Sequence, residues 1–356
     1  MKKTLIAFAA LSAIAGMAQA QSSVTLYGLV DAFVGQTQTQ VTGAAKVKRT
    51  VVDSDGQYSS RFGFRGTEDL GGGLKGVFAL EGGFSPDTGA PATAGVLFGR
   101  QAFVGLSGGF GTVSLGRHLT AYDALHGATN MVYDSNFETT SSVWAAGLPD
   151  YQIRASNSIS YASPDFAGFS GGVVYGLGEN KTATTKAEDN FSFHVKYANG
   201  PLLVGFAHQQ EKQFSGATPA YFTQPALPAA PFNAKRKYNL VGASFDFGVV
   251  KLVGQYNQAK GQTGATTSAK DDEFQIGVSV PFGAAAIAAG YSIAKTEITG
   301  GAVNENTSNG LSLLATYDLS KRTNVYAGFK ATKLESRNAT VETKASTVAV
   351  GVRHLF

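Results

Sequence analysis

Two arginines four residues apart, Arg61 and Arg65, lie in the segment 60–66, with Phe62 and Phe64 between and beside them. Side chains of an extended strand alternate between its faces, so both guanidinium groups share one face and both rings the other. Arg154 stands in a similar run, 153–161, where Ile153, Ala155, Ile159 and Tyr161 oppose Arg154, Ser156, Ser158 and Ser160. Guanidinium stays ionised at any working pH. A row of such groups suits a fixed field acting on a passing ion better than proton transfer or nucleophilic attack. Acidic counterparts are Glu81, with Lys75 on the same strand face, and Asp123, Asp134 and Glu138 in the long polar stretch 119–151. Each of these acids has an alternative use as a hydrogen-bond acceptor that folds the chain around it.

Reactive chemistry finds no comparable set of residues. Without cysteine there is no disulfide, no thiolate metal site and no thiol nucleophile. The five histidines, His118, His126, His194, His208 and His354, show neither metal-ligand spacing nor a neighbouring nucleophile pattern. Gly71 to Gly76 matches G-x-G-x-x-G literally, but a strand follows it where a dinucleotide site needs a helix. No catalytic residue, metal or cofactor is therefore expected, and no nucleic-acid module is visible.

The elements that must position the arginines follow from composition and periodicity. The 356 residues include 44 Gly, 24 Phe and 14 Tyr but one Trp, and 15% are charged, with a net charge of +4. A typical soluble domain has about 25% charged residues and about 7% glycine. Mean hydropathy near zero argues against several apolar helices long enough to span a bilayer. Met1 to Ala20 reads as a cleaved export signal, with Lys2 and Lys3 before an apolar run and Ala18-Gln19-Ala20 at its end. The mature domain, 21–356, alternates short strands with connections of two kinds. Seven are short turns such as Asp69-Leu70-Gly71-Gly72 and Asn199-Gly200-Pro201. Eight are long and polar, roughly 36–58, 85–96, 119–151, 178–189, 212–236, 260–270, 299–308 and 336–344. Fifteen connections join sixteen strands. An even number of strands, short turns at one end and long loops at the other predict an all-β, 16-stranded antiparallel transmembrane barrel. A β-sandwich is the soluble alternative, and it rarely needs so many strands.

In a barrel the arginines opposite apolar positions face the lumen, since arginine on the lipid face costs about 2–4 kcal/mol near the midplane. Arg100, in Phe98-Gly99-Arg100-Gln101-Ala102-Phe103, has no clear alternation. Arg117 follows Val113 and Leu115 in parity and so points outward. Either its strand has ended there or that wall is covered by protein, as a subunit contact would do. The basic group Lys235-Arg236-Lys237 borders a long loop and reads as a solvated loop end or a lipopolysaccharide contact.

Several motifs resemble the general diffusion porins of Gram-negative bacteria, betaproteobacterial trimeric type. They are 22–28 (SSVTLYG), 60–71 (SRFGFRGTEDLG), Phe103-Val104-Gly105-Leu106, Gly109-Phe110-Gly111, Arg154 with 157–161 (NSISY), and 350–356 (VGVRHLF). The resemblance runs the length of the mature chain. It implies an outer-membrane homotrimer of sixteen-stranded barrels, each with a water-filled pore for ions and small hydrophilic solutes. The third long loop, here about 119–151, is expected to fold inward and narrow the pore. The resemblance also places Arg100 in the lumen with Arg61 and Arg154. The acidic Pro-Glu-Phe-Gly-Gly turn of the enteric branch is absent from 119–151, which leaves the acidic partners undetermined. The terminal aromatic, Phe356, is implied as the signal that the barrel-insertion machinery reads. A weak preference for small anions is expected from the arginines. The competing function is a structural or adhesive barrel whose long loops bind an external partner; neither function is enzymatic.

Overall fold

A computed structural model describes residues 23–146, 148, 150–183, 186–212, 235–263, 267–300, 305–336 and 341–356. The proposed export signal, 1–20, lies outside them. Seventeen strand segments follow one another along the chain. They are β1 (Ser23–Val41), β2 (Val47–Ser54), β3 (Arg61–Gly71), β4 (Leu74–Gly83), β5 (Gln101–Gly108) and β6 (Gly111–Leu119). Next come β7 (Arg154–Ala162), β8 (Phe169–Gly176), β9 (Asp189–Asn199), β10 (Leu202–Lys212), β11 (Lys235–Asp246) and β12 (Lys251–Thr263). The last five are β13 (Thr267–Phe282), β14 (Ala285–Thr299), β15 (Glu305–Asp318), β16 (Thr323–Ser336) and β17 (Val341–Leu355).

Each segment from β3 onward pairs antiparallel with its successor. The barrel closes through β1, which pairs with β17 from Leu29↔Leu355 to Val41↔Thr343. Its other edge carries two segments in line: β2 along Ala32–Thr39 and β3 along Ser23–Leu29. Thus β2 and β3 together fill one position, interrupted by the turn 55–60, and seventeen segments make a barrel of sixteen strands. Gly28 and Phe356 exchange both backbone hydrogen bonds at the seam, at 3.1 and 3.0 Å.

The polarity of the wall is inverted relative to a soluble protein. Outward positions such as Val104, Ile276 and Val350 are exposed, whereas inward Ser192, Gln209, Gln275 and Ser312 are buried. That is the pattern of a wall whose outer solvent is hydrocarbon. Around the short-turn end Phe110, Phe166, Phe169, Phe247, Phe282 and Tyr317 are exposed, as interfacial aromatic girdles are.

Strand takes up half or more of four of the expected long loops. The connections at 36–58, 260–270, 299–308 and 336–344 are entered by ladders reaching Thr39↔Val47, Thr263↔Thr267, Glu297↔Glu305 and Ser336↔Val341. Polar residues there mark where the wall rises above the apolar band, not where the backbone ladder stops.

The segment 119–151 runs inside the barrel. It carries helix α1 (Ala121–Ala128), capped by Thr120 Oγ1 accepting from Asp123 N at 3.3 Å, then a short helix α2 (Thr140–Val143) and a 3₁₀ turn, Trp144–Ala146. The apolar core of the molecule is the contact between this segment and the wall. Tyr122, Leu125, Val143, Trp144 and Leu148 pack with Ala207, Tyr238 and Leu240, and Phe137 packs with Phe33 and Tyr326. Wall glycines make room for it. A Cβ at Gly242 would lie 2.3 Å from Thr129 Oγ1, and one at Gly328 would lie 2.2 Å from the Phe137 ring.

Candidate pore constriction

The strand pair β3–β4 and the start of β5 bring four of the expected residues together. Arg61 begins β3, facing inward with Leu29 of β1 as its neighbour across the ladder. Its Nη1 lies 2.7 Å from Asp134 Oδ2 at the tip of the inward segment. Arg100, just before β5, places Nη2 3.2 Å from the same oxygen and Nε 2.7 Å from Glu81 Oε1 on β4. Tyr27 completes the shell of Glu81 by donating its hydroxyl to Oε2 at 2.9 Å. Burial pushes the Asp134 carboxyl upward, but the adjacent Arg100 and Arg61 outweigh it and hold the group below its ordinary value. Asp134 therefore stays ionised between two cations.

Arg65 shares the inward face of Arg61 one step further along β3. It is exposed, its guanidinium sits 5.0 Å from the centroid of the Tyr27 ring, and among the described residues it makes no ion pair. Arg154 does not join the carboxylates either. Its Nε donates to Arg100 O at 3.0 Å. The single alternating face expected over 153–161 is broken at Asn157, which has φ +51°. The ladder slips at the same place, so that Gly116 pairs with Ser158 but His118 with Ala155. A bulge of this kind reverses parity: Ala155 and Ser158 are both buried, and Arg154 starts the strand on the face opposite Ala155.

Two of the four expected acids serve the folding of the segment instead of the arginine cluster. Asp123 accepts hydrogen bonds from Tyr151, at 2.6 Å, and from Tyr133. Glu138 accepts from Asn130 at 2.6 Å and from Thr140, and lies 3.3 Å from His126 Nε2. Both are buried, which only such a full set of donors makes tolerable. Arg117 lies on the outer parity, paired with Ala102, and is satisfied within the chain: Nε donates to Gly99 O at 2.7 Å and Nη1 to Ser156 Oγ at 2.6 Å. Within the basic group 235–237, Arg236 is not a solvated loop end. It turns inward, buried, with Nη2 2.6 Å from Glu211 Oε2.

Sequence reasoning missed the polar shell around Asp134. Ser59 donates its hydroxyl to Asp134 Oδ1 at 2.7 Å and its backbone N–H to Asp134 O at 3.0 Å. Ser59 lies in the turn that interrupts the second barrel position, and a short polar stretch before the Ser60–Gly66 strand was the one available signal.

The whole arrangement is a closed wall, apolar outside and polar inside, with a cluster of ion pairs between wall and inward segment. A family model described as Gram-negative porin matches residues 7–337. The chain belongs to that family. Among its relatives, outer membrane porin protein 32 of Delftia acidovorans is 34% identical, with both chains covered completely. An outer membrane porin of Bordetella pertussis is 32% identical, again over the whole of both chains. Among solved structures, an anion-selective porin from Comamonas acidovorans superposes with a TM-score of 0.74 at 30% identity, covering 94% of this chain and 100% of that one. This porin is an outer-membrane channel for passive diffusion, and its family consists of channels rather than enzymes. The adhesive alternative gains no support from these relatives.

Proposed function

We propose that Arg61, Arg100, Asp134 and Glu81 form the constriction of an anion-preferring pore, with Arg65 as the free positive charge beside it. The carrying observation is the imbalance of the cluster. Both carboxylates are already bound by arginines, whereas Arg65 stands exposed on the same face without a carboxylate. Charged rows at a narrow point act on ions that have lost much of their bulk screening. The screening length at physiological salt, about 8 Å, keeps that action local to the narrowing. The name of the relative from Comamonas acidovorans points the same way. The test is the reversal potential across a planar bilayer in a salt gradient. The wild type should prefer anions, and replacing Arg61, Arg65 and Arg100 by glutamine should move the potential towards cations, most at low salt. A cation-preferring wild type, or an unmoved triple variant, ends this reading.

The remaining assignments belong to the same proposal. Residues 1–20 are removed on export, so the mature protein should begin at Gln21 when sequenced. Three barrels associate, with the wall around Arg117 at the contact and lipid and lipopolysaccharide around the rest. Phe356 serves assembly: its deletion should lower the yield of folded barrel while surviving channels conduct normally.

A further inference from the structure

The turn 55–60 does more than break a strand. It is the seat on which the tip of the inward segment rests. Besides the two bonds from Ser59 to Asp134, Ser135 Oγ donates to Gly56 O at 2.6 Å and Asn136 N donates to Asp55 O at 2.8 Å. Within the turn Asp55 Oδ1 accepts from Ser60 N at 2.7 Å, and most of the remaining backbone N–H groups converge on one side chain of the wall. Asp31 of β1, 0% exposed, accepts from Gly56 N at 3.0 Å and Tyr326 OH at 2.5 Å on Oδ1. Its Oδ2 accepts from Gln57 N and Tyr58 N, both at 3.0 Å. Asp31 N donates to Ser60 Oγ at 3.0 Å, and Asp55 N donates to Asp31 O at 3.1 Å. Three successive backbone N–H groups on one carboxylate make an anion-holding concavity, filled here by a side chain of the wall.

We propose that Asp31 is a positioning residue for ion selection: through the turn 55–60 it fixes Asp134 against Arg61 and Arg100, while having no exposure to the pore itself. The inference rests on the reading of that cluster as the filter. Asparagine at position 31 has the shape of aspartate, but its amide nitrogen cannot accept the Gln57 and Tyr58 bonds. The turn then loosens, Asp134 retreats from the arginines, and the narrow section gains uncompensated positive charge.

The test compares reversal potentials of Asp31→Asn, Ser59→Ala, Asp134→Asn and the double variant Asp31→Asn/Asp134→Asn in planar bilayers. All three single variants should shift towards anions, Asp134→Asn most, and the double variant should match Asp134→Asn alone. That non-additivity separates positioning from the direct loss of a charge at Asp31, which would still add in the double variant. Ser59→Ala changes no charge, so its shift stands as the test if Asp31→Asn does not yield folded barrel. An Asp31→Asn shift that persists undiminished without the Asp134 charge overturns the proposal. So does a still potential in Asp31→Asn and Ser59→Ala while Asp134→Asn moves. A still potential in Asp134→Asn removes the filter reading itself, and the proposal with it.

Discussion

At its tip the inward segment meets β3 and β5 through Asp134, whose partners are two arginines and a serine. Across the lumen the same segment meets β10, β11 and their neighbours through Tyr122, Leu125, Trp144 and Leu148, all buried against Ala207, Tyr238 and Leu240. That second contact also has polar pins: Asp271 Oδ2 accepts from Leu148 N at 2.9 Å, and Glu211 Oε1 accepts from Gln152 N at 2.7 Å. The difference lies in what each contact can supply. Burying a large apolar side chain contributes about 1.5–3 kcal/mol, whereas a largely buried ion pair gives back much of its attraction as the cost of desolvating both charges. The aromatic side supplies most of the apolar burial that holds the segment, while the charged side fixes its tip through ion pairs and hydrogen bonds.

The comparison sharpens most with Trp144→Ala. Truncating a fully buried tryptophan should cost about 3–5 kcal/mol, read as a lower unfolding temperature, while channels that survive keep the wild-type ion preference. Gly328→Leu comes next. Its side chain must enter space held by Phe137, at an overpacking cost of about 1–3 kcal/mol. Because Phe137 is three residues from Asp134, single-channel conductance should change as well. Arg61→Gln should behave in the opposite way, with a smaller loss of stability than Trp144→Ala, because Asp134 keeps Arg100 and Ser59 as partners, and with reversal potential moved towards cations. Equal stability losses in Trp144→Ala and Arg61→Gln would erase the distinction between the two contacts.

Acidity separates the two sides by sign. Asp134 is held below its ordinary 3.8, so its contribution is present above that pH and is lost as pH falls through its lowered value. Asp150, at the far end of the segment, is pushed up to about 7 by burial, against the opposing pull of His126 and despite Tyr151 N donating to it at 2.9 Å; Glu138 and Asp123 push it further. Its contribution is present below 3.8 and is lost as pH rises to about 7. Unfolding temperature should therefore fall slightly from pH 4 to 7 in the wild type and less in Asp150→Asn. Reversal potential should hold over that range and drift towards anions only in more acid solution.

The barrel itself was legible because its two signals are local. Alternation along each strand and turn residues between strands need no knowledge of neighbours. Arg61 and Glu81 were readable for the same reason, each lying in an unbroken alternation. Arg154 was not, because the bulge at Asn157 reverses the faces with no glycine or proline in β7 to announce it; the glycine at the slip, Gly116, lies on the partner strand. The acids of 119–151 are equivalent in sequence, and only the folded segment sends Asp134 to the arginines and Asp123 to Tyr151. Asp31 could not be read in this role, because its partners lie in the turn 55–60 and on β16, far from it along the chain.

The seam between β1 and β17 has a kinetic meaning. Every other pairing in the wall joins a segment to the next one along the chain, or β1 to β3 just beyond β2, whereas this one joins the first strand to the last. The loop to be closed there is nearly the whole described chain, so its closure entropy is the largest among these pairings and the contact is expected to form late. Until it forms, β1 and β17 are bare edges able to pair with any other strand. The Phe356 ring presses so close to Gly28 that a Cβ there would meet it at 2.4 Å, so this seam accepts glycine and no larger residue at position 28 without shifting.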